Sequence, residues 1–313
     1  GEYIIASDCN GYIALFSLKK YLAGSYWLGT SKVSSPSSEC HFKGNYESIH
    51  SLEVSGDFIL SASEGEIRIW NWNNIKSCIG SKTNDSLESS LITITPEYEF
   101  SVPSKKAYFT KGNENIWFIG LDGSIYSISD SEEKKQVIPS LPWTNATCIY
   151  FQKQKDCVII GYEDEFTRVW NNGKLVREMF ENKIKDVHVG IDEYITQYQS
   201  TMLRHNGGRR GSIQGLMMDS TETWLLISTT RNYLAIWNLS MKVFTKSIIL
   251  PGTPSIGIFY GTTIFTAGCD NIIYKWNINA ELQGKIESSL NVISDMKINQ
   301  NGESKYHVLF SCG

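Results

Sequence analysis

The chain has 313 residues, 41% of them hydrophobic, enough to bury a large core as one big domain or two ordinary ones. Nine Trp and 16 Tyr against only seven Pro favour many short strands packed on one another over a helical bundle. A net charge of −4, from 29 basic and 33 acidic side chains, excludes a global field that would hold the surface against a phosphate backbone.

In chain order, the dominant signal is a recurring unit. A short apolar strand meets an acidic or Asn/Gly turn and is followed by a second strand ending in an aromatic or large apolar residue. Six copies are present: YIIASDCNGYIALF ending at Phe16, FILSASEGEIRIW at Trp70, IWFIGLDGSIYSI at Ile128, CVIIGYEDEFTRVW at Trp170, WLLISTTRNYLAIW at Trp237 and IFTAGCDNIIYKW at Trp276. Each reads as the second and third strands of a blade, with Asn10-Gly11, Glu64-Gly65, Asp122-Gly123 and Asp270-Asn271 supplying the positive-φ residues of a tight hairpin. The landmarks Phe16, Trp70, Ile128, Trp170, Trp237 and Trp276 are expected to occupy one equivalent, buried slot.

The landmarks are 54, 58, 42, 67 and 39 residues apart, where an uninterrupted WD repeat takes about 40 to 45. The surplus is expected in connections around 21–39, 81–98 and 181–211. The tail, NVISDMKINQNGESKYHVLFSCG, reads as the first two strands of a seventh unit, and the head begins in a second strand. The expectation is an all-β, seven-bladed WD40-type β-propeller of four-stranded blades, one domain over 1–313, with blade-completing strands at both termini missing from the sequence. Asn rather than Asp follows Trp70, Trp170, Trp237 and Trp276, and no Gly-His pair precedes a blade, so the buried His/Asp network of typical repeats is mostly absent.

Chemistry-bearing constellations are sparse. His41, His50, His188, His205 and His307 fall in different repeats, and no HExxH, GxSxG or phosphate-loop pattern appears. Seven scattered Cys without a CxxC pair disfavour zinc and a disulfide framework, and read as reduced intracellular core thiols. The longest apolar stretches, such as LLISTTRNYLAIW, are broken by polar residues well short of a bilayer span. The expectation is no catalytic residue, cofactor, metal, small-molecule substrate or membrane partner. One concentrated basic segment, Arg204-His205-Asn206-Gly207-Gly208-Arg209-Arg210, offers bidentate Arg contacts to an acidic partner surface, with RNA met at most indirectly. Trp27, within the first insertion, is a second candidate anchor for a partner, and Trp143 a weaker one.

The segments GEYIIASDCNGYIALFSL (1–18), IHSLEVSGDFILSASEGEIRIWNW (49–72), HNGGRRGSIQGLMMDSTETWLLIS (205–228) and the stretch from YLAIWNLSMKVF through TAGCDNIIYKWNINAELQGKI (233–286) resemble the THO complex subunit 6 family of WD-repeat proteins. The resemblance implies a nuclear, non-catalytic scaffold of the THO/TREX assembly that contacts coiled-coil subunits and supports messenger RNA processing and export. His205, Asn206 and Gly207 match the family's loop before the fifth blade, whereas Gly208-Arg209-Arg210 departs from it. A substrate receptor of a cullin-4 ubiquitin ligase is the alternative. Such receptors often carry Arg three residues after the blade-end Trp, where this chain has Asn73, Gly173, Ser240 and Asn279.

Overall fold

The computed structural model describes residues 2–23, 38–80, 92–110, 115–129, 133–152, 155–180, 183–199, 211–250, 256–287, 293, 295–301 and 305–311. The chain divides into two compact units, Gly1–Leu121 with Tyr126–Gln136, and Asp122–Ile125 with Val137–Gly313.

The first unit opens with an antiparallel sheet of β1 (Tyr3–Ser7), β2 (Tyr12–Ser17) and β3 (Cys40–Lys43), in that order. Ile13 and Leu15 of β2 are fully buried while their neighbours are only partly so, as the period of two in YIALFS requires. A short helix α1 (Leu18–Ala23) follows β2. The second sheet orders β4 (Ser51–Ser55), β5 (Phe58–Ala62), β6 (Ile67–Asn71) and β7 (Tyr98–Phe100), with α2 (Trp72–Gly80) between its third and fourth strands. β5 and β6 are buried on both faces, which explains their near-continuous apolar runs. One core gathers Ile13, Leu15, Phe42, Ile59, Trp70 and Ile75 of α2; another gathers Leu60, Ile67, Phe100, Ala107 and Phe118. The third sheet orders β8 (Ser104–Phe109), β9 (Ile116–Gly120), β10 (Ile125–Ile128) and β11 (Lys135–Ile138).

The second unit contains a five-stranded sheet of β12 (Ala146–Phe151), β13 (Val158–Tyr162), β14 (Thr167–Asn171), β15 (Lys174–Phe180) and β16 (Lys183–Gly190), followed by helix α3 (Ile191–Gln199). Two four-stranded sheets come next: β17 (Ile213–Met218) to β18 (Trp224–Thr229), β19 (Tyr233–Asn238) and β20 (Val243–Ile249), then β21 (Ile256–Tyr260) to β22 (Thr263–Ala267), β23 (Ile272–Asn277) and β24 (Leu282–Glu287). The tail forms a two-stranded ribbon, β25 (Asp295–Asn301) with β26 (Lys305–Ser311).

These sheets correct the expected seven four-stranded blades to six blades. Six sheets carry three to five strands each, and the residues assigned to a seventh blade pair only with one another as the β25–β26 ribbon. The hairpin turns are also corrected in part. Gly11, Gly123 and Asn271 have positive φ, but Glu165 and Asn232 supply it where the sequence shows no Gly, and Gly65 does not take it. At Gly123 the requirement is double: besides φ +79°, a Cβ would stand 2.3 Å from Asn145 Oδ1.

Candidate interaction surface

The landmark residues fall at matching places. Trp70, Trp170, Trp237 and Trp276 are each the penultimate residue of the third strand of a sheet and Ile128 is the last of one, whereas Phe16 is the penultimate residue of β2, the middle strand of a three-stranded sheet. At Trp170, Trp237 and Trp276 the register to the fourth strand shifts by a β-bulge, so the same slot also starts the outer strand. Trp70, Ile128, Trp170 and Trp237 are buried, whereas Phe16 and Trp276 are only part-buried, which corrects the expectation of one uniformly buried slot.

The indole N–H groups find different partners. Trp70 Nε1 donates to Ser61 Oγ at 2.9 Å and Trp276 Nε1 to Thr266 Oγ1 at 2.7 Å, each across a hairpin to the second strand. Trp170 Nε1 donates to Tyr162 Oη at 3.1 Å, and the buried Trp237 Nε1 has no partner among the described residues.

Where the His/Asp network is missing, two arginines stand two residues before the landmark Trp. Arg168 is fully buried in β14, in bidentate contact with Asp164 at 3.0 and 2.7 Å, and its Nε donates to Tyr194 Oη at 2.9 Å. That hydroxyl in turn donates to Glu178 on β15, and the rings of Tyr162 and Phe166 lie 4.6 Å from the guanidinium carbon. Burial opposes the charge, but the Asp164 carboxylate more than offsets it and holds the guanidinium firmly protonated. The same burial pushes the Tyr162 hydroxyl far above its ordinary range. Arg68 of β6 is the counterpart, paired with Glu66 and Glu99 at 3.0 Å each. Neither arginine stands out in the sequence as a site residue, although Arg-x-Trp recurs at 68–70 and 168–170.

The insertion expected as a connection over 181–211 begins as the fifth strand β16 and helix α3. Tyr194 of α3 is buried against Arg168, with its ring 6.0 Å from Trp143. Beyond residue 210 the chain returns to the same β13–β14 turn, where Gly211 N donates to Glu165 Oε1 at 2.5 Å and Ser212 Oγ to the Glu163 carbonyl at 3.3 Å. Asp186 of β16 binds both Arg177 and Lys242, tying the five-stranded sheet to the β19–β20 turn. Hydrogen bonds from Lys242 and then Arg177 hold the Asp186 carboxyl down at about 2. Trp27, Arg204, His205, Asn206, Arg209 and Arg210 themselves lie outside the described residues. Of the cysteines expected as core thiols, Cys40 and Cys148 are buried, but Cys9 and Cys269 are exposed.

A cleft between β14–β15 and β17–β19 is walled by Met179, Phe180, Ile213, Ile227 and Trp237, and its one carboxylate, Glu165, is engaged by Gly211. Among the described residues no group of three or more His, Cys, Asp or Glu is placed to hold a metal ion, and no helix is long and apolar enough to cross a membrane. Exposed apolar side chains include Val243 and Ile249 on the outer strand β20, Met241 in the turn before it, and Leu282 and Ile286 on the outer strand β24, besides Val54 on β4.

Repeated antiparallel blade sheets, landmark Trp residues at the ends of third strands and outward apolar side chains define a protein of the WD40-type β-propeller class. The solved structures it resembles include the computationally designed Ika8 protein (13% identity, 99% of this chain and 81% of that one, TM-score 0.56), the β-propeller domain of Myceliophteria thermophila Cps50 (Swd1) (12%, 94% and 84%, TM-score 0.63) and Saccharomyces cerevisiae Sqt1 (12%, 99% and 78%, TM-score 0.62). Among characterised proteins it is similar to human THO complex subunit 6, 21% identical over 305 residues that span 96% of this chain and 80% of the relative. The mouse homolog is 22% identical over 306 residues, with the same coverage. No protein-family profile matches the chain.

Proposed function

We propose that this chain is a non-catalytic WD-repeat scaffold that joins other, coiled-coil subunits of a THO complex in the nucleus, supporting messenger RNA processing and export, with RNA met only through partners. The observation that carries this is similarity to THO complex subunit 6 along 96% of the chain. The blade architecture supports it, because packed antiparallel sheets present loops and outer strands on which partners can dock. We assign the partner contacts to Trp27 and to the segment carrying Arg204, His205, Asn206, Arg209 and Arg210. α3, before that segment, is held to Arg168 and Glu178 through Tyr194, and Gly211 and Ser212, after it, bond the Glu163–Phe166 turn.

Affinity purification of the tagged protein from its own cells, followed by mass spectrometry, tests the reading. Several THO subunits should be recovered together, and the Arg204→Ala/Arg209→Ala/Arg210→Ala variant should recover fewer. Recovery of only a cullin adaptor, or of metabolic enzymes, overturns it.

A further inference from the structure

The second and fourth sheets contain the same set of residues 100 positions apart: Asn45, Glu64, Arg68 and Trp70 against Asn145, Asp164, Arg168 and Trp170. Strand register extends the match, since Arg68 faces Glu99 across β6–β7 as Arg168 faces Glu178 across β14–β15. The two sites differ in the acid beside the guanidinium, Glu66 for Arg68 but Asp164 for Arg168, and in what meets Nε. In the fourth sheet Tyr194 completes the site, its hydroxyl accepting from Arg168 Nε and donating to Glu178. In the second sheet no described residue supplies the corresponding hydroxyl. Arg68 spends Nη1 on the Gly44 carbonyl at 2.8 Å and Nη2 on Glu66 and Glu99, while its Nε, buried with the rest of an 8% exposed side chain, has no hydrogen-bond partner among the described residues.

A buried donor left without an acceptor costs free energy that a bound group recovers. The group must accept from the Nε–H and donate to a carboxylate whose side chain is still 42% exposed. A hydroxyl meets both demands, and the filled copy shows an aromatic ring carrying it. The roof over Arg68 suits such a ring: Tyr46 lies 4.7 Å from the guanidinium carbon and is 74% exposed, a single surface side chain that can turn to stack on an incoming aromatic. We propose that Arg68, Glu99 and Tyr46 form a docking site for a tyrosine side chain of a partner protein, the intermolecular counterpart of the contact Tyr194 makes within the chain. The site shares no residue with the basic segment and does not depend on which complex the protein joins.

The test uses the full chain labelled with ¹⁵N-arginine, which gives seven Nε–H signals, with Arg68 assigned through Arg68→Lys. Titration with p-cresol, the tyrosine side chain as a free molecule, should shift the Arg68 Nε–H signal saturably and leave the already filled Arg168 signal in place. Toluene, which lacks the hydroxyl, should leave Arg68 unmoved, and Glu99→Ala should weaken p-cresol binding roughly tenfold, as loss of one hydrogen bond to a charged group implies. No response to p-cresol up to its solubility limit, an equal response to toluene, or a bound-water cross-peak at the Arg68 Nε–H that p-cresol does not displace each overturns the proposal.

Discussion

Trp70 and Trp237 occupy the same slot of different sheets and are both buried, yet one N–H is bonded and the other is not. Replacing Trp70 with Phe removes ring volume and also leaves Ser61 Oγ without its donor; at Trp237 the same change removes volume and an unsatisfied polar atom together. Trp70→Phe should therefore cost about 1–2 kcal/mol more than Trp237→Phe. Urea denaturation of the two variants measures the difference, and equal losses would show that the Ser61 bond contributes nothing net. At this scale the slot itself was legible, because an aromatic at the end of a strand is a local signal. The partner was not: Ser61, Tyr162 and Thr266 come from the second strand, and which of them meets the indole depends on hairpin register. The partial exposure of Trp276 was equally hidden, since its neighbours on β24 are mostly exposed.

Among the elements, the fourth sheet with its fifth strand and α3 departs most from the sequence pattern. KIKDVHVG alternates only weakly and is interrupted by charge, and His188 takes a positive φ, so nothing in it announces a strand. α3 is short and acidic at its start, and its retention rests on Tyr194 rather than on helix propensity. Tyr194→Phe keeps the ring but leaves Arg168 Nε with only Glu178 and takes a donor from that carboxylate, which should cost about 1–3 kcal/mol. Hydrogen exchange should show α3 amides losing protection while β13 and β14 keep theirs; unchanged α3 would mean that ring packing alone holds the helix. β16 has a separate tie at Asp186. Its carboxyl, ordinarily near 3.8, is held at about 2, so its contribution is present above 3.8 and is lost as pH falls toward about 2. Asp186→Asn should flatten that part of the stability–pH curve, and an unchanged slope would assign the acid loss to other carboxylates.

Taken as a whole molecule, the chain reads as blades because second and third strands repeat, and six such pairs give six blades. The tail misled because two strands with alternating apolar residues look like the start of a blade whether or not further strands join them. In the structure β25 and β26 pair only with each other. The same distribution sets where stability is concentrated. Central strands such as β18 and β19 are almost wholly buried, whereas β20 and β24 are exposed along much of their length. Opening free energies follow buried contact, so amides of β5, β6, β18 and β19 should exchange slowest and those of β20 and β24 earlier by at least about tenfold in rate. Exchange followed by mass spectrometry resolves these segments. The apolar side chains on β20 and β24 sharpen the expectation, because strands bearing Val243, Ile249, Leu282 and Ile286 gain protection only when something covers them. If the isolated protein already protects β20 and β24 as well as the central strands, those side chains are buried in solution and the outer strands are not its open surface.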